Sequence, residues 1–191
     1  MREQRKKNIS LHGFSMPEVI LSVFILSIGL VTIVSVMTGS LRHSLGTRDA
    51  IIAAELAQEG IELARNVRDN DFADGGNGFP GTSFQTNQPY CRIDWNDTRL
   101  RCRDSAWSPG SVRYDLQYSG GLYAHAVGGG VAKFARYIYV NYDDTVGQEN
   151  AIVRTFVTWT GFTPPDDGSP TGCTIASACV FTETFLTAWK N

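Results

Sequence analysis

A run of nineteen residues without a charged side chain, from Val19 to Met37, is the feature that most constrains this chain of 191 residues. As an α-helix, the run would be about 28 Å long, which matches the hydrocarbon thickness of a bilayer. The chain stays uncharged to Leu41, and Glu18 lies at the front edge of the run. Because a carboxylate is costly in lipid, Glu18 indicates a functional role. The run therefore predicts a membrane-spanning helix whose one acid needs an explanation.

A basic segment comes before the run. Residues 1–13 carry four basic side chains and one acidic one, whereas the rest of the chain has 13 basic and 18 acidic residues. The positive-inside rule predicts a cytoplasmic N-terminus and an external C-terminus. The acidic remainder argues against a general nucleic-acid-binding protein, so we see no strong nucleic-acid signal. In a secretory signal the apolar core precedes the cleavage site, but here a candidate site between Gly13 and Phe14 comes first.

The heptapeptide Gly13–Val19 (GFSMPEV), between a basic leader and about twenty apolar residues, resembles the class III signal of type IV pilins and pseudopilins. The resemblance implies that prepilin peptidase cuts after Gly13 and methylates the new amine of Phe14. It also implies that Glu18 pairs with the Phe14 amine of a neighbouring subunit in a filament. Methylation keeps that amine charged. A charge pair in an apolar core fixes register, because any misplacement leaves a charge unpaired.

We expect the helix to continue outside the membrane to Arg68, because residues 42–68 contain many strong helix formers. Small and apolar residues recur there at spacings of three and four and form one face that can lie close against a sheet, namely Ala53, Leu56, Ala57, Gly60, Ala64 and Val67. Many pilins carry a helix-breaking proline in the apolar segment. This chain has no proline between Pro17 and Pro80, so local unwinding would depend on glycines, namely Gly29, Gly39 and Gly46.

A loop and several strands follow. Asp69–Gly81 has the composition of a loop that stops the helix. Predicted strands cover Ser111–Tyr118, Phe134–Tyr142, Ile152–Thr160 and Val180–Trp189, with a hairpin loop at Asp143–Asn150. In the first of them, alternation places Val112, Tyr114, Leu116 and Tyr118 on one face.

We therefore predict an α+β fold: a long N-terminal helix packed on a C-terminal antiparallel sheet, like that of pilins. The expected division is a leader at 1–13, a transmembrane and filament-core helix at 14–41, the external half of the helix at 42–68 and a disulfide-stabilised head at 69–191. The order of elements and the C-terminal sequence resemble a minor pilin of the PilV type.

The four cysteines all follow the membrane segment, at Cys91, Cys102, Cys173 and Cys179. An even number beyond a membrane span indicates disulfides in an oxidising compartment. Four cysteines allow three connectivities, and we favour the two local pairs, 91 with 102 and 173 with 179, because short loops close at little entropic cost. With no Cys-x-x-Cys pair and scattered histidines, at His12, His43 and His125, we expect no zinc site and no cofactor.

Other candidate sites are weaker. Arginines beside Trp95 could contact nucleic acid or an anionic surface, but aspartates lie among them and favour a salt-bridged loop; the arginines are Arg92, Arg99, Arg101 and Arg103, and the aspartates are Asp94, Asp97 and Asp104. Asp143, Asp144 and Glu149 are calcium-type ligands, although a polar hairpin loop is favoured. Gly128–Gly130 is interpreted as a flexible turn and Asn96–Thr98 as a chance glycosylation triplet.

The expected function is that of a structural subunit and not of an enzyme, since we find no nucleophile elbow, no His-Glu-x-x-His and no convincing nucleophile–base pair. The resemblance implies a minor pilin of a type IV pilus whose partners are prepilin peptidase, other pilin subunits and, before assembly, the inner membrane. It is equally compatible with a pseudopilin of type II secretion in a periplasmic pseudopilus. A membrane-anchored adhesin or DNA-binding module is the alternative from another class, with no surface ligand identified.

Overall fold

The computed structural model describes residues 13, 15–79, 84, 90–102, 114–125, 132–143, 149–159, 162–165 and 168–188. In these residues the predicted α+β fold is confirmed: one long helix and a five-stranded antiparallel sheet. The chain forms two compact units, Met1–Gly46 and Thr47–Asn191, and the helix contributes residues to both.

Helix α1 spans Met16–Ala73. It starts where the main-chain carbonyl of Ser15 accepts hydrogen bonds from the N–H groups of Glu18 and Val19, and Pro17 lies in the first turn, where no donor is needed. The helix continues past the expected end at Arg68. It stops before Gly75, which has a φ of 88° and donates its N–H to the carbonyl of Phe72. A glycine in the left-handed conformation is a common helix terminator, whereas aspartate and asparagine are tolerated in the last turn.

The sheet has the strand order β2-β1-β3-β4-β5. Its strands are β1 Asp115–Ser119, β2 Leu122–His125, β3 Phe134–Asp143, β4 Asn150–Thr158 and β5 Cys179–Thr187. The last three lie close to their predicted positions, while strand β2 was not predicted. Gly120 and Gly121, with φ values of 62° and 90°, form the two-residue turn that joins β1 to β2. Such a glycine pair is a hairpin signal that the sequence does contain.

The inner face of the sheet buries the predicted small-residue face of α1, and all six of its residues are buried. Leu56 packs with Phe134 and Val157, and Ala64 belongs to a cluster with Ile138 and Val153. Gly60 sets the closest approach, because a Cβ built there would lie 2.7 Å from Cγ2 of Thr155. The sequence therefore specifies both the packing face and the separation of helix and sheet.

The outer face of the sheet carries an aromatic cluster that includes Tyr90, Tyr114, Tyr137 and Phe156. The ring centroids of Tyr114 and Tyr137 are 4.7 Å apart. Leu116, in contrast, packs in the cluster that contains helix residues. The prediction that Tyr114 and Leu116 share a face was therefore wrong. Tyr114 lies in a 3₁₀-type turn before β1, so the period of two that orders strand side chains does not yet apply to it.

We predict that Gly60→Ala lowers the free energy of unfolding by about 1–3 kcal/mol, because the new methyl group clashes with Thr155. Thermal or denaturant unfolding followed by near-UV circular dichroism measures the change. Gly46→Ala is the matched control, since a Cβ there meets nothing within 4 Å. Adding Thr155→Ser to Gly60→Ala removes the clashing methyl and should restore part of the loss; equal losses in both variants would contradict this packing.

Candidate functional site

The N-terminal motif begins with exposed residues. Gly13 and Glu18 are both exposed, and Phe14 lies outside the described residues. The side chain of Glu18 makes no hydrogen bond or ion pair with any residue that the structure describes. The cleavage at Gly13, the methylation of Phe14 and the pairing of Glu18 with that amine therefore remain predictions.

The apolar run of α1 is exposed along its whole length. Sixteen large apolar side chains between Val19 and Leu45 have 47–72% of their surface exposed. The described part of the chain contains one helix that is long and apolar enough to cross a membrane. A row of apolar side chains of this size is unfavourable in water. Apolar groups from outside the chain must therefore shield the run from water.

The polar side chains in the run are satisfied by the helix itself. Four hydroxyl groups donate to main-chain carbonyls three or four residues earlier, at distances of 2.7–3.0 Å; they belong to Ser22, Ser27, Thr32 and Thr38. In hydrocarbon, such internal bonds avoid the cost of an unpaired polar group. The helix is also continuous through Gly29, Gly39 and Gly46. The run is therefore suited to an apolar surrounding on every side.

A second polar feature lies in the unit Thr47–Asn191 and centres on Arg136, whose side chain is 0% exposed. Its guanidinium donates to the main-chain carbonyls of Leu56 at 3.3 Å and Ile93 at 2.8 Å. Its Nη1 also lies 3.4 Å from Oε2 of Glu59. One buried cation thus ties together three segments: helix α1, residues 90–102 (the 90s loop) and strand β3. Buried arginines persist when, as here, acceptors surround the charge.

His125 and Asp94 continue this buried cluster. Nδ1 of His125 lies 2.8 Å from Oδ1 of Asp94, and the main-chain N–H of His125 donates to the same oxygen at 2.9 Å. Burial lowers the pKa of His125 below its ordinary value of 6.5, and the hydrogen bond to Asp94 offsets this only in part. We place the remaining proton on Nδ1, because that atom faces the carboxylate.

The pKa of Asp94 is also lowered, but for a different reason. Burial alone would raise the pKa of Asp94, but the hydrogen bond from His125 and the charge of Arg136 outweigh it, so the pKa is lowered. The His125 side chain is fully buried. The cluster joins the loop that carries Asp94 to the end of β2.

The two disulfides follow the local pairing favoured by loop closure. Cys91 is joined to Cys102 and Cys173 to Cys179, at sequence separations of 11 and 6. Cys91 belongs to the inner-face core and the second pair to the outer aromatic cluster. A covalent link on each side of the sheet thus ties down a connecting segment.

The arginine-rich loop does not form one basic surface among its described residues. Arg101 pairs with Asp97 at 2.7 Å, and Arg92 is buried. Arg99 and Trp95 are exposed. Arg103 and Asp104 lie outside the described residues, as do Gly128–Gly130. One arginine of the loop is thus neutralised by an aspartate of the same loop, and Asn96 is exposed in it.

The acidic residues of calcium-ligand type have other roles in the described part of the structure. Asp143 ends β3, and Glu149 accepts a hydrogen bond of 2.8 Å from the side chain of Asn77. Asp144 lies outside the described residues. Among the residues with described positions, no group of three or more histidine, cysteine or acidic side chains is arranged to hold a metal ion. Glu149 thus links the β3–β4 connection to the segment that follows α1.

The buried cluster of Arg136, His125 and Asp94 was not predicted, although a sequence pattern does indicate where Arg136 lies. Arg136 alternates with Phe134 and Ile138, so a period of two already places a cation on the inner face of β3. The contact between His125 and Asp94 joins residues 31 positions apart, and no local pattern reveals it.

In the residues that the structure describes, the fold and the exposed run thus define a helix that could span a membrane and a disulfide-bonded α+β domain. No protein-family model, curated protein or solved structure matches the chain.

We predict that the free energy of unfolding falls as the pH drops from 7 to 5, by up to about 1.4 kcal/mol per pH unit, relative to His125→Asn. The sign follows from the lowered pKa of His125: the unfolded chain takes up the proton first, so acid favours unfolding. The asparagine amide can still donate to Asp94 but does not titrate. Denaturant unfolding of both proteins at several pH values measures the difference. A wild type that gains stability over His125→Asn in acid would show that the buried ring holds two protons.

Proposed function

We propose that this chain is a structural subunit of a type IV pilus, a minor pilin that prepilin peptidase processes and that assembles through its N-terminal helix. The observation that carries the proposal is the exposure of the entire apolar run behind a lone exposed carboxylate, Glu18. A simple anchor needs the run but has no use for an acid at its edge. A filament subunit uses both.

The proposal accounts for the two environments that the run would meet. In the inner membrane, lipid covers the apolar side chains, and the basic leader keeps the N-terminus in the cytoplasm. In a filament, the helices of neighbouring subunits would replace the lipid. Cleavage after Gly13 would then leave a positive amine on Phe14, within reach of a carboxylate on the next subunit. The sheet domain, with two disulfides and an acidic remainder, suits the outside of the filament.

Mature protein isolated from membranes should begin with N-methylphenylalanine at Phe14, since the proposal places the cut directly after Gly13. Mass spectrometry of the intact chain and of its N-terminal peptide measures this, and a strain without prepilin peptidase supplies the unprocessed control. A mature chain that keeps Met1, or one cut elsewhere, would refute the proposal.

Glu18→Val should leave membrane insertion unchanged and reduce incorporation into filaments, because the Phe14 amine of the neighbour would lose its partner. Quantifying the chain in the membrane and in sheared surface filaments separates the two steps. Ser22→Val, one turn further along the run, is the matched control; the Ser22 hydroxyl donates to the main-chain carbonyl of Glu18. Equal incorporation of Glu18→Val and wild type would remove the pairing role from the account.

Deletion of the gene separates the pilus from the type II secretion pseudopilus. Loss of surface filaments with normal protein secretion supports the pilus, whereas loss of secretion with normal filaments supports the pseudopilus alternative.

A further inference from the structure

A pocket of about 170 Å³ lies on the outer face of the sheet, at one end of strands β3 and β4. Asp115 of β1 is paired with Ala135 of β3, and Ala135 is paired with Thr158 of β4, so the three residues form one row across the sheet. Cross-strand neighbours point to the same face. Since the smallest of the three is in the middle, the row has a depression between a carboxylate and a hydroxyl group. We call it the outer pocket.

The polar groups of the outer pocket lack partners in the described part of the chain. Asp115 is half-buried, and its carboxylate makes no hydrogen bond or ion pair with a described residue. Burial raises the pKa of Asp115 above its ordinary value, which indicates incomplete solvation of the charge. Thr158 is 2% exposed, and its hydroxyl makes no hydrogen bond with any residue that the structure describes. Since polar groups at such depth are normally hydrogen-bonded, these two are suited to a ligand.

The remaining walls of the outer pocket are mainly aromatic and are formed by Tyr137, Trp159 and Phe162. Tyr137 belongs to the outer aromatic cluster and Phe162 packs against it, so the neighbouring rings hold this wall in place. Lys133 also lines the pocket, but its ammonium group lies 2.5 Å from a carboxylate oxygen of Asp49. The outer pocket thus combines an unpaired carboxylate, a hydroxyl group and aromatic surface.

These groups favour one class of ligand over two others. An anion is repelled by the unpaired carboxylate of Asp115. A single ammonium group can pair with Asp115 but does not also reach Thr158, because two strand spacings, or about 10 Å, separate the two main chains. A sugar ring carries hydroxyl groups around its edge and C–H groups on its faces. It can therefore donate to the carboxylate, bond to the hydroxyl group and pack on the aromatic rings at the same time.

The size of the outer pocket limits the ligand further. Drug-sized ligands occupy pockets of about 300–1,000 Å³, which is larger than this one. One ring fits, and the rest of any longer ligand has to extend from the pocket into solvent. The opening is on the face of the sheet that does not pack on α1, so the helix leaves it accessible.

We propose that the outer pocket binds one pyranose ring of a carbohydrate, with ring hydroxyl groups bonded to Asp115 and Thr158 and a ring face against the aromatic wall. The proposal goes beyond the proposed function, because it gives the sheet domain a recognition activity of its own. It does not depend on assembly into a filament.

Saturation-transfer NMR on the purified full-length chain tests this binding, in a polyoxyethylene detergent that carries no sugar. The probes are the methyl α- and β-pyranosides of glucose, galactose, mannose and N-acetylglucosamine, together with the corresponding free sugars. We expect saturable binding of at least one probe. The methyl glycosides imitate a ring within a glycan, so a preference for them assigns the site to a glycan, whereas a preference for the free sugars assigns it to a soluble monosaccharide.

Two variants locate the binding in the outer pocket. Asp115→Asn should weaken it about tenfold, since hydrogen bonds to a charged acceptor are lost. Ala135→Val should abolish it by filling the centre of the row, and valine is well tolerated in a strand. Glu55→Gln, an exposed acid outside the pocket, is the matched control and should bind like the wild type. Near-UV circular dichroism verifies that each variant is folded.

The outcomes separate this inference from the proposed function, because the purified chain is tested outside any filament. A folded wild type that binds none of the probes would overturn the proposal, and so would a folded Ala135→Val that binds as well as the wild type. Binding of methylammonium in place of the sugars, lost in Asp115→Asn, would overturn it by assigning the pocket to a cation. None of these results bears on cleavage after Gly13 or on filament incorporation.

Discussion

The first half of helix α1 is suited to an apolar surrounding and the second half to packing on a sheet in water. This difference determines how the rest of the protein is arranged. Before Gly46, its large apolar side chains are exposed in every direction and its hydroxyl groups bond back to the helix. After Gly46, the same helix presents alanines and a glycine to a sheet and charged groups to water. The first stretch requires an apolar cover from outside the chain. The second stretch is covered by the sheet of its own chain, and the hydrophobic core of the described residues forms there.

The second stretch depends on close approach and on one buried cation. Gly60 leaves no room for a methyl group against Thr155, so the helix lies near enough for Arg136 to reach the carbonyl of Leu56 from strand β3. The same guanidinium holds the 90s loop through Ile93, and Asp94 in that loop holds His125. Truncating Arg136 would leave buried acceptors unpaired, which costs more than the loss of an ordinary surface contact. The position of the loop that carries Trp95 follows from these bonds.

Local patterns account for most of the fold and for little of the buried cluster. The small-residue face of the helix, strands β3 to β5 and the local cysteine pairs follow from spacing and composition, which are properties of neighbouring residues. Tyr114 was assigned to the wrong face because a turn precedes β1, and β2 was missed although Gly120 and Gly121 mark its hairpin. The pairing of Asp94 with His125, and the closeness of Trp95 to Glu55, depend on how distant segments pack. No period in the sequence encodes those distances.

The central claim is that the run from Val19 to Leu41 is covered by lipid before assembly and by other subunits afterwards. The most direct measurement is the labelling of single cysteines placed along the run, at Ile25 and Val31 for example, with a water-soluble maleimide. The native cysteines are bound in disulfides and do not react. The account predicts that both positions are protected in intact membranes and remain protected in purified filaments, while a cysteine at the exposed Gln58 of the external half is labelled in both. Labelling of the run in filaments, or retention of all the chain in the membrane, would contradict it.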